Sequence, residues 1–350
     1  MSGHIGLGSG GGGRMQRELV ERIRSVLSNP VLDRLEDGAV LDLKPGPGEN
    51  LVVTTDSYVV DPLVFPGGNI GTLAVCGTVN DLAVMGAVPR VLTLGFIIEE
   101  GFALETLDTV LHSIAERASQ AGVEIVAGDT KVTGRGKGDG IYINTAGVGI
   151  RPDGRNPGVH RLEPGQCVLV NGPIGDHSIA VMLSREGMDF EVDAKSDCAP
   201  LNGLVEALYS AVGPASVAAM RDLTRGGLAA ALNEYAADAS IDFHIDETAM
   251  PINGPVKAAA RVLGFEPAVL ANEGKLIAII EEPIADAALK ALQGHPYGRE
   301  AAIIGRVGDK YDADNPRGDR PRRPLVYFKT PGGGVRIVDM PLGELLPRIC

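Results

Sequence analysis

The sequence predicts a two-domain α+β protein, and three observations carry that expectation. At 350 residues the chain exceeds the roughly 150 residues of an ordinary single domain. Short β-branched runs bounded by Gly or Pro alternate with stretches of helical periodicity. That alternation begins afresh after PDGRNPG (152–158), a segment with the composition of a turn or linker. The expected divisions are 1–155 for the first domain, 156–330 for the second and 331–350 for a flexible tail.

Residues 3–13 read GHIGLGSGGGG, too rich in Gly to hold one conformation unaided, and are expected to form a flexible loop. From Arg14 to Leu27 the apolar residues Met15, Leu19, Ile23, Val26 and Leu27 recur at helical spacing, and Asn29-Pro30 closes the pattern. Strands are expected at 39–43, 51–56, 91–98, 123–129 and 140–150, with helices at 70–86 and 104–120. The second half offers strands at 166–172, 275–280 and 301–307, and helices near 176–186, 201–211, 226–238 and 254–263. Residues 310–334 have the Pro, Gly and Arg content of a linker, and 341–350 leaves room for one short helical turn.

A composition of 44% hydrophobic and 22% charged residues is that of a folded chain. The net charge of -13 argues against broad binding to nucleic acid or acidic membrane, which requires clustered cations. The basic run Arg317, Arg320, Arg322 and Arg323 alternates with Pro, Gly and Asp and reads as a solvated loop. No apolar run approaches the roughly 18–20 residues of a membrane-spanning helix, and the N-terminus lacks a signal-like apolar segment. A cytoplasmic protein with neither nucleic-acid nor membrane partners is expected. Cys76, Cys167, Cys198 and Cys350 lie far apart, a pattern of neither a disulfide framework nor a structural zinc site.

Candidate chemistry concentrates at strand ends. Asp56 in VVTTDSY, Asp81 in TVNDLAVMGA and Asp129 in VAGDTKV can converge on Mg²⁺, a hard cation that keeps water and phosphate in its shell. Each alone equally suits a cap or turn. Lys131 follows Asp129 by two residues, so an extended strand puts both on one face, where the cation can steady phosphoryl oxygens or simply pair at the surface. The Gly-rich opening can approach phosphate with its backbone N–H groups, although it matches no established phosphate loop. Cys350 is a thiol at the chain end, behind Gly332, Gly333 and Gly334 as possible pivots. Tethering of that kind raises the effective concentration of a carried group at a second site.

Taken together, FPGGNIGTLAVCGTVNDLAVMGA (65–87), VAGDTKV (126–132), NGPIGDHSIAVMLSREGMDFE (171–191), RDLTRGGLAAALNE (221–234), NEGK (272–275) and the terminal PRIC (347–350) resemble the motifs of the HypE family of hydrogenase maturation proteins. That family lies in the ATP-binding superfamily of aminoimidazole ribonucleotide synthetase, selenophosphate synthetase and thiamine-monophosphate kinase. The resemblance spans essentially the whole chain. It implies an aminoimidazole ribonucleotide synthetase-like fold whose N-terminal domains pair in a homodimer to build a shared barrel and the nucleotide sites. It further implies Asp56, Asp81 and Asp129 as Mg²⁺ and ATP partners, with Asn80, Thr130, Lys131, Arg225, Gly226 and Gly227 at the nucleotide and Lys131 as catalytic cation. Glu273 lines the domain interface, and Glu273, His177 or a water would be the base. Cys350 becomes the carrier thiol. The implied reaction is ATP-dependent dehydration of a carbamoyl group on Cys350 to an S-cyanide (a thiocyanate), for the iron of [NiFe]-hydrogenase. A HypF-type carbamoyltransferase would supply the group and a HypC–HypD scaffold receive the product. Leu7 stands where family members often carry His, and Ser178 where Gly is frequent. The alternatives are a small-molecule kinase or synthetase of the same superfamily, for which Cys350 would be dispensable, and a non-catalytic nucleotide-binding scaffold that docks partners through its tail.

Overall fold

The computed structural model describes residues 3–10, 13–34, 38–185, 194–311, 323–342 and 346–350. After α1 (Gly13–Leu27), the first half builds a four-stranded sheet from β1 (Asn50–Tyr58), β4 (Val88–Glu99), β5 (Glu124–Thr133) and β6 (Ile141–Arg151), in the order β1-β6-β4-β5. A small hairpin, β2 (Val64–Phe65) and β3 (Gly68–Asn69), follows β1. One sheet face is covered by α2 (Ile70–Val84), against which α3 (Leu104–Ala121) packs. The other face is open. Leu51, Val53, Thr55 and Ser57 alternate outward along β1, and Val53 is 68% exposed.

Helix α2 starts where the Asn69 side chain accepts from Gly71 N and Thr72 N while the Thr72 hydroxyl accepts from Asn69 N, a reciprocal capping box. Nearly every residue of α2 is buried, because sheet, α3 and second domain all press on it.

The second half forms a seven-stranded sheet in the order β13-β12-β9-β11-β7-β10-β8, built from β7 (Cys167–Val170), β8 (Val217–Asp222), β9 (Ile241–Asp246), β10 (Leu276–Ile280), β11 (Ala302–Lys310), β12 (Val326–Lys329) and β13 (Val335–Ile337). Its helices are α4 (Asp176–Leu183), α5 (Asn202–Val212), α6 (Gly227–Ala239), α7 (Gly254–Leu263) and α8 (Ala285–Gln293). Val168, Val170, Ile277 and Ile279 share a core with α6, while Cys167, Leu169, Ala278 and Ile280 share one with α5 and α8. Burial on both faces accounts for the continuous apolar runs of β7 and β10. The two-domain α+β architecture is therefore the observed one.

Several expectations are corrected. The segment 39–43 forms no strand, since no neighbour pairs with it and Val40 is 78% exposed. Residues 3–10 of the expected loose loop are stitched to the body: Ile5 N donates to Phe102 O, Gly101 N to Ile5 O, and Leu104 N to Gly3 O. Gly332, Gly333 and Gly334 form the turn of the β12–β13 hairpin, with Thr330 N donating to Gly334 O at 2.8 Å. The segment 310–334 contains a sheet strand and is no simple linker. Arg317, Arg320 and Arg322 lie outside the described residues, whereas Arg323 pairs with Asp339 at 2.5 Å. Among the described residues no helix is long and apolar enough to cross a membrane.

Candidate functional site at the domain junction

Strand β1 carries Asp56 on its inward face, in a row with buried Thr145 and Leu94. Asp81 reaches the same face from α2 and accepts from the Thr54 hydroxyl at 2.9 Å. Desolvation, then the charge of Asp56, raises the Asp81 pKa, while Arg225 and Arg221 oppose the rise. Asp222, at the end of β8, completes an acidic wall that the sequence motifs had not singled out. Burial, with Asp81 and Asp56 adding repulsion, pushes its carboxyl up to about 7. Its position just before Leu223-Thr224-Arg225 at a strand end was the available signal.

Asp129 does not join them within one chain. It pairs with Gly95 of β4, and that row continues through Asn144 to Ser57, whose side chains belong to the open face. Asp129 and Lys131 are paired there at 3.0 Å, 65% and 61% exposed respectively. The Lys131 hydrogen bond is the main influence holding the Asp129 carboxyl below its ordinary pKa. Thr130 points inward and is buried, lining with Asp129 a cavity of about 370 Å³ beneath α1. The turn Leu7–Gly10 lies against β5, so the start of the Gly-rich segment neighbours this strand. Within one chain the three aspartates do not converge: among the described residues no cluster of three or more metal-ligating side chains forms. Asp56 and Asp81 still fit a Mg²⁺ ion that draws its remaining ligands from phosphate and water, since one or two carboxylates commonly suffice.

Asn80 ties the two domains together. Its amide donates to Ala199 O and Glu273 O, both at 3.1 Å, and its carbonyl accepts from Leu201 N at 2.7 Å. It fastens α2 to the second domain. Glu273 is held over this junction, its N–H donating to Asp197 at 3.0 Å and Asp197 pairing with Lys275 at 2.9 Å. Gly274 follows because a Cβ there would stand 1.9 Å from Asp197 O. Glu273 is 2% exposed, and among the described residues its Oε1 has no hydrogen-bond partner. Desolvation, then Asp197, Asp222, Asp56 and Cys76, raises its pKa well above the usual carboxylate range. Cys198 lies beside Cys76, and burial drives the Cys198 thiol strongly upward. These two are inert packing thiols.

Gly226 and Gly227 take positive φ at the start of α6, and a Cβ on Gly227 would meet Leu270 O at 2.3 Å. Arg225 and Gly226, with Ser178, Ala271, Leu346 and Ile349, line a cleft of about 360 Å³. The chain end closes that cleft. Ile349 is 3% exposed, and Cys350 packs against the first domain's core. Val59 N donates to Cys350 O at 3.2 Å and Asp61 N to Arg348 O at 3.1 Å, so the terminal residues lie alongside the segment that follows β1. None of the four cysteines forms a disulfide.

The two sheets and their acidic junction define an AIR synthase related protein: residues 35–151 match the N-terminal domain of that family and 163–314 its C-terminal domain. Within it, the carbamoyl dehydratase HypE of Rhizobium leguminosarum bv. viciae is 47% identical, over 100% of this chain and 96% of that protein. A crystal structure of the hydrogenase maturation protein HypE in complex with ATP superposes with a TM-score of 0.91 at 43% identity, covering 99% of this chain and 100% of that one. A crystal structure of a HypE–HypF complex gives 0.78 at 42% identity, covering 94% and 100%. The chain belongs to the HypE family.

Proposed function

We propose that this chain is an ATP-dependent carbamoyl dehydratase whose substrate is a carbamoyl group on its own Cys350. The observation that carries this reading is the docked chain end, held alongside the segment that follows β1, three residues beyond Asp56. The acidic wall and the Arg225–Gly226 corner flank it. The names of its relatives, and the ATP and HypF complexes of their structures, support ATP as co-substrate and a HypF-type carbamoyltransferase as donor. An iron scaffold of HypC and HypD would be the acceptor.

In the reaction the thiocarboxamide oxygen attacks the γ-phosphorus of ATP and ADP leaves. The oxygen, a poor leaving group as oxide, has then become phosphate. Loss of both protons from the nitrogen and departure of phosphate, as the C–O bond breaks, yield the S-bound nitrile. Mg²⁺ held by Asp56 and Asp81 would supply charge neutralisation at the phosphates. Arg225 and Lys131 steady the transferring oxygens. Glu273 lies buried at the junction and is the residue for proton transfer, once bound cations draw its pKa down toward the working range.

Because Asp129 and Lys131 face outward, the reading requires a second copy. The open face of the first sheet, with Leu51, Val53 and Ile97 exposed, pairs with its counterpart in a homodimer. Each nucleotide is then held by Asp56 and Asp81 of one copy and Asp129 and Lys131 of the other. ATP hydrolysis by carbamoylated enzyme, unmodified enzyme and Cys350→Ala tests the function. The carrier enzyme hydrolyses ATP only in the first case, whereas a small-molecule kinase or a scaffold shows no dependence on the modified thiol.

A further inference from the structure

The backbone carbonyls of all four terminal residues are held by donors from the body of the protein. Arg185 Nη2 donates to Pro347 O at 2.6 Å and to Arg348 O at 3.1 Å, while its Nε donates to Asp61 O at 3.0 Å. Asp61 N and Val59 N serve Arg348 O and Cys350 O. Ile349 O accepts from His177 Nε2 at 2.7 Å. Donors from both domains therefore grip the tail through its main chain.

His177 is the buried member of this set, with Phe65 edge-on to its ring at 5.4 Å. A carbonyl oxygen only accepts, so Nε2 carries the proton. Nδ1, 2.8 Å from Ser196 Oγ, must then accept from that hydroxyl, which itself accepts from Cys198 N at 3.1 Å. Burial favours this neutral form, lowering the His177 pKa. Both ring nitrogens are committed, which removes His177 as the base of the reaction.

We infer that His177, oriented by Ser196 and assisted by Arg185, is a positioning residue that sets the register of the carrier tail; this rests on the reading of Cys350 as carrier. A slip of one residue would set Arg348 O or Cys350 O before His177 and carry the Cys350 thiol about 3 Å from its place.

The test compares full-length wild type with His177→Ala, His177→Gln, Ser196→Ala and Arg185→Ala. Two readouts are taken: the rate at which a maleimide alkylates unmodified Cys350, and the single-turnover loss of water from carbamoylated Cys350 at saturating ATP. The Ala variants are expected to alkylate about three- to tenfold faster and to dehydrate about tenfold or more slowly, with ATP affinity unchanged. His177→Gln, which retains a side-chain N–H, recovers part of both. Should His177→Ala fail to fold, Ser196→Ala and Arg185→Ala decide. Wild-type alkylation and dehydration rates in the soluble variants would overturn the inference. If wild type itself never loses water, the carrier reading falls, while the alkylation contrast still decides the dock.

Discussion

Asp56 and Asp129 stand on opposite faces of one four-stranded sheet, three strands apart. The strand spacing alone puts about 14 Å between them. Within one copy the two do not meet at a single ion, and the proposed shared site draws them from two copies of the chain.

Complementation follows from that separation. Asp56→Asn and Lys131→Ala are each expected to abolish ATP-dependent dehydration. Re-assembling the two variants together restores about one quarter of wild-type activity, because half of the dimers are mixed and each has one intact site. Activity that stays absent in verified mixed dimers would rule out a shared site.

Asn80→Ala removes three buried hydrogen bonds between α2 and the second domain and leaves Ala199 O, Glu273 O and Leu201 N without that partner. A loss of roughly 2–4 kcal/mol is expected in denaturant unfolding. A residue serving only as a nucleotide ligand would leave unfolding of the ligand-free protein unchanged.

Asp222 makes stability depend on pH. Its carboxyl titrates at about 7 in the fold against 3.8 ordinarily, so the folded state retains a proton that the unfolded chain has released. The associated stability is fully present below pH 3.8 and is lost as pH rises through 7. Asp222→Asn should thus be the more stable protein at pH 8, by roughly 1–2 kcal/mol for a partly accessible group, with the advantage vanishing toward pH 4. Paired thermal melts across that range measure it.

Glu273→Gln keeps the shape of the side chain and removes a buried ionisable group whose charge burial disfavours, so the fold and its melting temperature should hold or improve. Proton transfer is lost, and dehydration is expected to slow by about 100-fold as the carbamoylated Cys350 accumulates.

The sequence made the elements legible wherever local signals agreed with tertiary burial. Helix α2 has its Asn69 cap and apolar length, and β5 its β-branched run. Strands β8 (VAAMRD) and β9 (IDFHID) escaped notice because Ala and alternating charge favour no particular element until a sheet buries them. AVLDL failed for the converse reason: it has strand composition but no neighbour in the chain to pair with. The aspartates were legible as residues, but their faces were not. That depended on the register that sets Asp56 beside Thr145 and Asp129 beside Gly95. Asn80 in TVND could not be separated from a ligand until its amide was seen holding 199–201 and Glu273.

The most direct measurement is the intact mass of the C-terminal peptide after carbamoyl transfer and a single exposure to ATP and Mg²⁺. The account predicts a carbamoyl adduct on Cys350 that then loses the mass of one water, strictly with ATP and never in Cys350→Ala. An adduct that persists unchanged through ATP hydrolysis, or water loss on any other residue, would contradict it.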